Sequence, residues 1–527
     1  MNLASSAVVD SSCPYASQVA LDVMQAGGTA ADAAIAASAV LFVTLPMCCG
    51  PGGDLAAICF DAASRKVLSH TAFGRTPQRA TREFLASLGH KAVPRIGIMS
   101  ATIPAAAEGL VSMHHRMGTR PLEELFEPAI TAARDGVVVT GQMHKWIKNN
   151  ITVIKDDETC SAIFLPGGKA IQTGSILRQP QLGAFLDKVA RGSASYLQSD
   201  EYRNAVLQFT EKQGGLFSLS DFEQSQVDIH EPITLRLGEH TVHTNPAPSQ
   251  GAILLRNLAM YDFAVQNSLH TGTNRIHVWR EIFNQTYNWR LRALGDLDAY
   301  CTDFWLEDLP GDCSAIKARH RSQCLYKGHY SEGDTTQFVV GDKVGNSVSM
   351  ILSLSLGFGS GVAEPSTGII FNSRLGRSMP LKAGLANSLK PGKRPVNTIH
   401  AYAVTTEHGL SFSGGTPGGD GQVQWNAATL AAALVDGMRL EQAAHAPRFT
   451  CFPGADLIEA GEEGRIELES GLTAEREELE SLGHTVKIRD RVQGSIRIAE
   501  RVDGGWIAHH DGHDDGSSIG TAQGWER

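Results

Sequence analysis

Residues 333–355 read GDTTQFVVGDKVGNSVSMILSLS. Two runs with alternating side chains flank a glycine-bounded turn at residues 342–345, the pattern of an antiparallel hairpin. An acidic residue and two threonines open it. Pairing about that turn puts Thr335 opposite Leu352, with Ser353 next to the pair. Because register can slip by one residue, the inference is that the Ser353 hydroxyl comes near Thr335.

A threonine hydroxyl is a weak nucleophile and needs a base. An N-terminal threonine carries its own, an α-amine with a pKa of about 7.7–8.0, which can take the hydroxyl proton directly or through one water. An internal threonine has no such amine. The chain would have to be cut between Asp334 and Thr335, by Thr335 itself. Its Oγ would attack the Asp334 carbonyl, an N-to-O shift would follow, and water would hydrolyse the ester. The same residues also suit a plain half-buried strand, since threonine favours strands.

Around the hairpin, strand and helix patterns alternate, which suggests a layered α/β arrangement. Residues 17–25 and an alanine-rich stretch capped by Thr29, with Asp32 in its first turn, read as helices. MCCGPGGD at residues 47–54 reads as a tight helix-to-strand corner; no Walker lysine follows it. Residues 121–133 read as a helix kinked or broken at Pro128, and 276–294 as a longer one. Residues 295–331 look loop-rich and accessible just before Thr335.

At 527 residues, length allows two to four domains of roughly 150 residues, or one large layered enzyme. The net charge is −10, with no basic run, which argues against a nucleic-acid binder. The N-terminus lacks the pattern of a secretory signal. Residues 30–46 are too short and alanine-rich for a membrane span. Nine cysteines follow no CxxC spacing. These features predict a cytoplasmic protein with reduced thiols.

DTTQFVVGDKVGNSVSMILSLSLGFGSGV resembles the processing site of γ-glutamyltransferases, members of the N-terminal-nucleophile hydrolases. QAGGTAADAAIAA, NPAPSQGAILL, PGKRP and SGGTPGGDGQ resemble that family's landmarks in the same order. The resemblance implies a four-layer αββα sandwich, cut into a large subunit (1–334) and a small one (335–527). The two stay together as one heterodimer or a dimer of these. It makes Thr335 the nucleophile, Ser353 the hydroxyl that supports it, and Gly418 and Gly419 the backbone oxyanion donors. It implies no cofactor and no metal.

The substrate positions depart from the family. Its carboxylate-binding arginine falls at Phe73, with Arg75 two residues later. Its amine-binding aspartate falls at Arg377, with Arg374 nearby. Asn397 and Thr398 stand for a serine pair, and Ser355 for an asparagine. An ammonium facing a guanidinium is repelled, by about 4 kcal/mol at about 4 Å and an effective dielectric of roughly 20. Arginine binds a planar carboxylate bidentately. The expected substrate has a carboxylate and an amide but no α-amine, with oxamate, giving oxalate and ammonia in purine breakdown, the nearest fit. A γ-glutamyl hydrolase or transferase, a glutaryl or cephalosporin acylase, and an uncleaved binding protein are the alternatives. His509 to Asp515, in AHHDGHDDG, reads as a solvated turn before it reads as a metal site.

Overall fold

The computed structural model describes residues 5–269, 274–297, 303–316, 320–330, 334–456, 461–514 and 516–522. Its central strands form one continuous path, in the order Val227–His230, Lys66–Ala72, Asp54–Asp61, Ser347–Ser355, Asp334–Gly341, Ser5–Ser11, Gly505–His510, Arg497–Val502, Gly409–Gly415, Tyr402–Thr406, His240–Thr244 and Ile233–Leu237. Ser517–Ala522 pairs with Ser5–Ser11 off this path. Ser5–Ser11 meets Gly505–His510 at a single residue pair, Ser5 with Trp506, so the path folds there into two sheets packed face to face. Val8, Ile58, Val339, Ala403, Ala499 and Trp506 fill the space between them.

Helices cover both outer faces. Ala30–Thr44, Ala106–Met117, Leu122–Asp135 and Pro180–Leu197 pack on the first sheet. Gly251–Gln266, Arg275–Ala293 and Gly421–Leu434 pack on the second. This is the four-layer αββα sandwich of the N-terminal-nucleophile hydrolases. Ala30–Thr44 is buried on every side, which its small side chains permit. Thr29 and Asp32 close a reciprocal capping box at its start, which satisfies amides that the helix leaves open.

The helix Leu122–Asp135 continues through Pro128, so the proline does not break it. The corner at residues 47–54 is the tight turn expected. A Cβ on Gly53 would collide with the Ser353 carbonyl, so only glycine lets this turn lie against the hairpin.

The hairpin's register differs by one residue from expectation. Thr335 pairs with Ser353 itself, and Thr336 with Leu352. The cause is the connection, which spans residues 342–346. Asp342 Oδ1 accepts from the amides of Val344, Gly345 and Asn346, each at 3.0 Å. A turn wrapped around one carboxylate is longer than a bare glycine turn, and it moves the pairing one step.

Candidate active site

Asp54, Ser353 and Thr335 lie side by side on three neighbouring strands, each paired with the next. Directly paired residues point to the same face, so their side chains form a row. Thr335 Oγ1 is 3.2 Å from Ser353 Oγ. Ser353 Oγ donates to the Asp334 carbonyl at 3.2 Å and accepts from the Ser355 amide at 2.9 Å. One serine therefore touches both the hydroxyl that would attack and the carbonyl that would be attacked. The ladder is irregular at this point. Ser353 faces Thr335, but Asp334 faces Ser355, with Leu354 extra. Ser355 sits at φ +85°, a left-handed conformation that non-glycine residues rarely adopt.

At the far end of the row, Asp54 is fully buried. Its Oδ1 accepts from the Gly74 amide at 3.0 Å. Its Oδ2 accepts from Arg374 Nε at 2.8 Å and Asn397 Nδ2 at 3.0 Å. Arg374 is completely buried, yet Nη1 and Nη2 have no hydrogen-bond partner among the described residues. The same holds for the buried hydroxyls of Ser355, Ser373 and Thr398. Burial pushes the Arg374 pKa down, against the opposing pull of Asp54. A buried guanidinium with two idle N–H corners is costly unless an anion meets it.

Arg377, one helical turn away, is differently placed. Its Nε donates to Asp456 at 3.0 Å and its Nη1 to the Ser355 carbonyl at 2.9 Å. Burial works against ionisation of Asp456, but Arg377 and Arg290 outweigh it and hold its pKa low. Arg75 points elsewhere. Its guanidinium donates to the carbonyls of Gly392 and Ser225, and it does not line the cavity at Thr335. Phe73 is buried among Ala56, Ile351 and Ile399, where no carboxylate could be gripped.

On the other side of the row, Asp334, Thr335 and Gly418 open onto a cavity of about 1170 Å³. Its walls include Met47, Met143, Trp146 and Val153 toward one end, and Ser495, His513 and Asp514 toward the other. Gly418 has φ +121°, and a Cβ there would strike the Trp425 ring, so glycine is required. With the Gln422 amide oriented to satisfy both its ends, its oxygen accepts from the Gly419 N–H at 3.2 Å and its nitrogen donates to the Thr398 carbonyl at 3.1 Å. The Gly419 amide thus already has a partner, and Gly419 does not line the cavity.

The histidine-rich stretch is a network of ion pairs in the cavity wall. Asp515 lies outside the described residues. His513 contacts Glu469 at 2.9 Å and Asp511 at 3.2 Å. His510 contacts Asp514 at 3.2 Å. Burial opposes charge on both histidines, but these carboxylates prevail and raise their pKa values. The expectation of a solvated turn is corrected here: the Asp511 side chain is buried and both imidazoles are largely covered.

Sequence reasoning did not find Asp54, Trp146 or His513 as parts of this site. Asp54 follows a glycine pair at the start of a strand, which is a weak signal, and its partner Arg374 lies 320 positions away.

The Gamma-glutamyltranspeptidase family matches residues 16–521 of the chain. A glutathione hydrolase-like YwrD proenzyme of Bacillus subtilis (strain 168) is 28% identical over 447 residues, 82% of this chain and 83% of that protein. An acylase ACY 1 proenzyme of Pseudomonas sp. (strain SE83) is 28% identical over 516 residues, 93% of this chain and 89% of that protein. The crystal structure of cephalosporin acylase from Bacillus halodurans superposes with a TM-score of 0.84 at 25% identity, covering 99% of this chain and 97% of that one. With the fold and the threonine-led strand, these matches establish that the chain belongs to the gamma-glutamyltranspeptidase family, as an N-terminal-nucleophile amidohydrolase made as a self-cleaving proenzyme.

Proposed function

We propose that the enzyme hydrolyses the amide of an acyl group that ends in a second carboxylate and carries no α-amine, with a glutaryl amide as the type. The observation that carries this reading is the buried Arg374, with two nitrogens unpartnered among the described residues. It stands beyond Asp54 at the end of the row that starts at Thr335; like Arg75 it does not line the cavity there, so the acyl chain must open a path to it past Ser353 and Asp54. Two strand spacings separate the ends of that row, roughly 10 Å between backbones. A chain of a few methylenes bridges that gap. Oxamate, whose two carbonyl carbons are bonded directly to each other, is the shortest acid of the same class and spans much less of it. Arg377 occupies the family's amine position and repels an ammonium there.

Cleavage between Asp334 and Thr335 gives a large chain, residues 1–334, and a small one, 335–527, held as a heterodimer. Thr335 Oγ then attacks the substrate amide carbon while its own α-amine takes the proton. The Gly418 N–H stabilises the oxyanion, joined by Gly419 if Gln422 turns aside. The amine leaves with a proton, and water hydrolyses the acyl ester. Arg374 holds the distal carboxylate, with Asn397 fixing Asp54 beneath it and the Thr398 and Ser355 hydroxyls nearby. Arg75 takes no part.

Amine release from glutaric acid monoamide, oxamate and glutamine by the processed enzyme tests this. The glutaric amide should be preferred over both others by at least about tenfold in kcat/KM, as expected for loss of one charge-assisted contact. Preference for oxamate would move the reading to short diacids. Preference for glutamine would restore an amine site.

A further inference from the structure

We propose that Arg377 is a positioning residue for self-cleavage, holding the strand opposite the scissile peptide in its bulged form. This rests on the reading that Thr335 cuts its own chain. The bulge places Leu354 as an extra residue across from the Asp334–Thr335 peptide. It also turns Ser355 to φ +85°, a conformation that strains a non-glycine residue. Something must keep it there, and the Ser355 carbonyl accepts from Arg377 Nη1 at 2.9 Å. Arg377 is fixed in turn by Asp456 at 3.0 Å, which Arg290 also approaches at 3.5 Å.

The bulge aims the Ser355 amide at Ser353 Oγ. A serine oxygen has one proton and two lone pairs. Here the proton goes to the Asp334 carbonyl, and the lone pairs meet the Ser355 N–H and the Thr335 hydroxyl. That single arrangement polarises the carbonyl and orients the nucleophile. In the step itself, Thr335 Oγ bonds to the Asp334 carbonyl carbon as its proton passes toward Ser353. The C–N bond then breaks, and the Thr335 nitrogen takes a proton to become the free amine. Water finally hydrolyses the Asp334 ester and returns the hydroxyl. With Arg377 in this role, the inverted charge at the family's amine position acts on maturation.

The full chain, pulse-labelled in a cell-free translation system and followed on denaturing gels, gives the cleavage rate. Arg377→Met should slow scission at least tenfold. In a Ser355→Gly background, where φ +85° costs nothing, adding Arg377→Met should slow it less than threefold. Arg377→Lys, which keeps the charge but cannot reach both partners, serves if the methionine variant fails to fold. It should be slowed and rescued in the same way. Unaltered cleavage in the Arg377 variants overturns the proposal. So does a defect of equal size in the glycine background, because arginine would then matter only through Asp456. A wild-type chain that stays whole overturns the self-cleavage reading as well, which separates the two failures.

Discussion

The two sides of Thr335 are built on different principles. Toward Asp54 the site is closed and over-specified. Asp54, Arg374 and Asn397 lock one another in place, and every member is buried. On the other side lies a cavity of about 1170 Å³ with apolar groups at its walls. Ile96, Val138 and Tyr15 there remain 49%, 59% and 42% exposed. A buried ionic cluster accepts little variation, because each unmet donor costs free energy. An open apolar wall accepts many shapes, because dispersion and burial are not directional. On the proposed function, the contrast means that selection falls on the acid half of a substrate, and tolerance on the amine half.

Several measurements would break or sharpen that contrast. The largest effect belongs to neither side. Thr335→Ala should leave the chain whole on a denaturing gel and lower kcat by about 10⁴-fold or more, as removal of a nucleophile does elsewhere. Normal cleavage in that variant would end the account of both sides.

Next comes the closed side. Arg374→Gln leaves Asp54 buried without its cation, which should destabilise the fold by about 3–5 kcal/mol in denaturant unfolding. Pairing it with Asp54→Asn should recover most of that stability. It should leave kcat/KM for glutaryl amides about 100-fold down, the scale of a lost buried charge contact. If activity returns with stability, Arg374 is only a structural ion pair.

The open side should respond weakly. Trp146→Ala should raise KM for an arylamide several-fold with kcat little changed and stability within about 0.5 kcal/mol, as for other half-exposed positions. A stability loss like that of Arg374→Gln would erase the distinction between the sides.

The smallest effect concerns the wall at His513. Its folded pKa is raised, so its charge stabilises the native state fully below the unfolded value of about 6.5 and progressively less as pH rises through the folded value. Glu469 and Asp511 face it, with Arg448 opposing. The Tm advantage of the wild type over His513→Gln should therefore be greatest near pH 6 and shrink by roughly 1–2 °C toward pH 9.

The hairpin, the cap at Thr29 with Asp32 in the first turn, and the alternation of strand and helix were legible in the sequence because each is a local pattern. The register was one residue off because the turn length depends on a carboxylate gathering three amides, which alternation does not encode. The ion pair at Arg374 was half legible. Arg377 stood out as a charge in an unusual place and Arg374 only as its neighbour, and Asp54 could not be linked to Arg374 without the fold that brings a strand and a helix 320 residues apart together. Arg75 misled for the converse reason. Nearness in sequence to the expected position says nothing of where a guanidinium points, and this one faces loop carbonyls.

The strand Ser5–Ser11 lies between Asp334–Gly341 and Gly505–His510. This strand is therefore held between two strands that lie hundreds of residues later in the sequence. If Thr335 cuts its own chain as proposed, scission waits on strand pairing, because Ser353 meets the Thr335 hydroxyl only across paired strands. On that reading maturation acts as an inspection step: a copy whose strands have paired out of register at Thr335 stays whole, and two bands report that this pairing was completed.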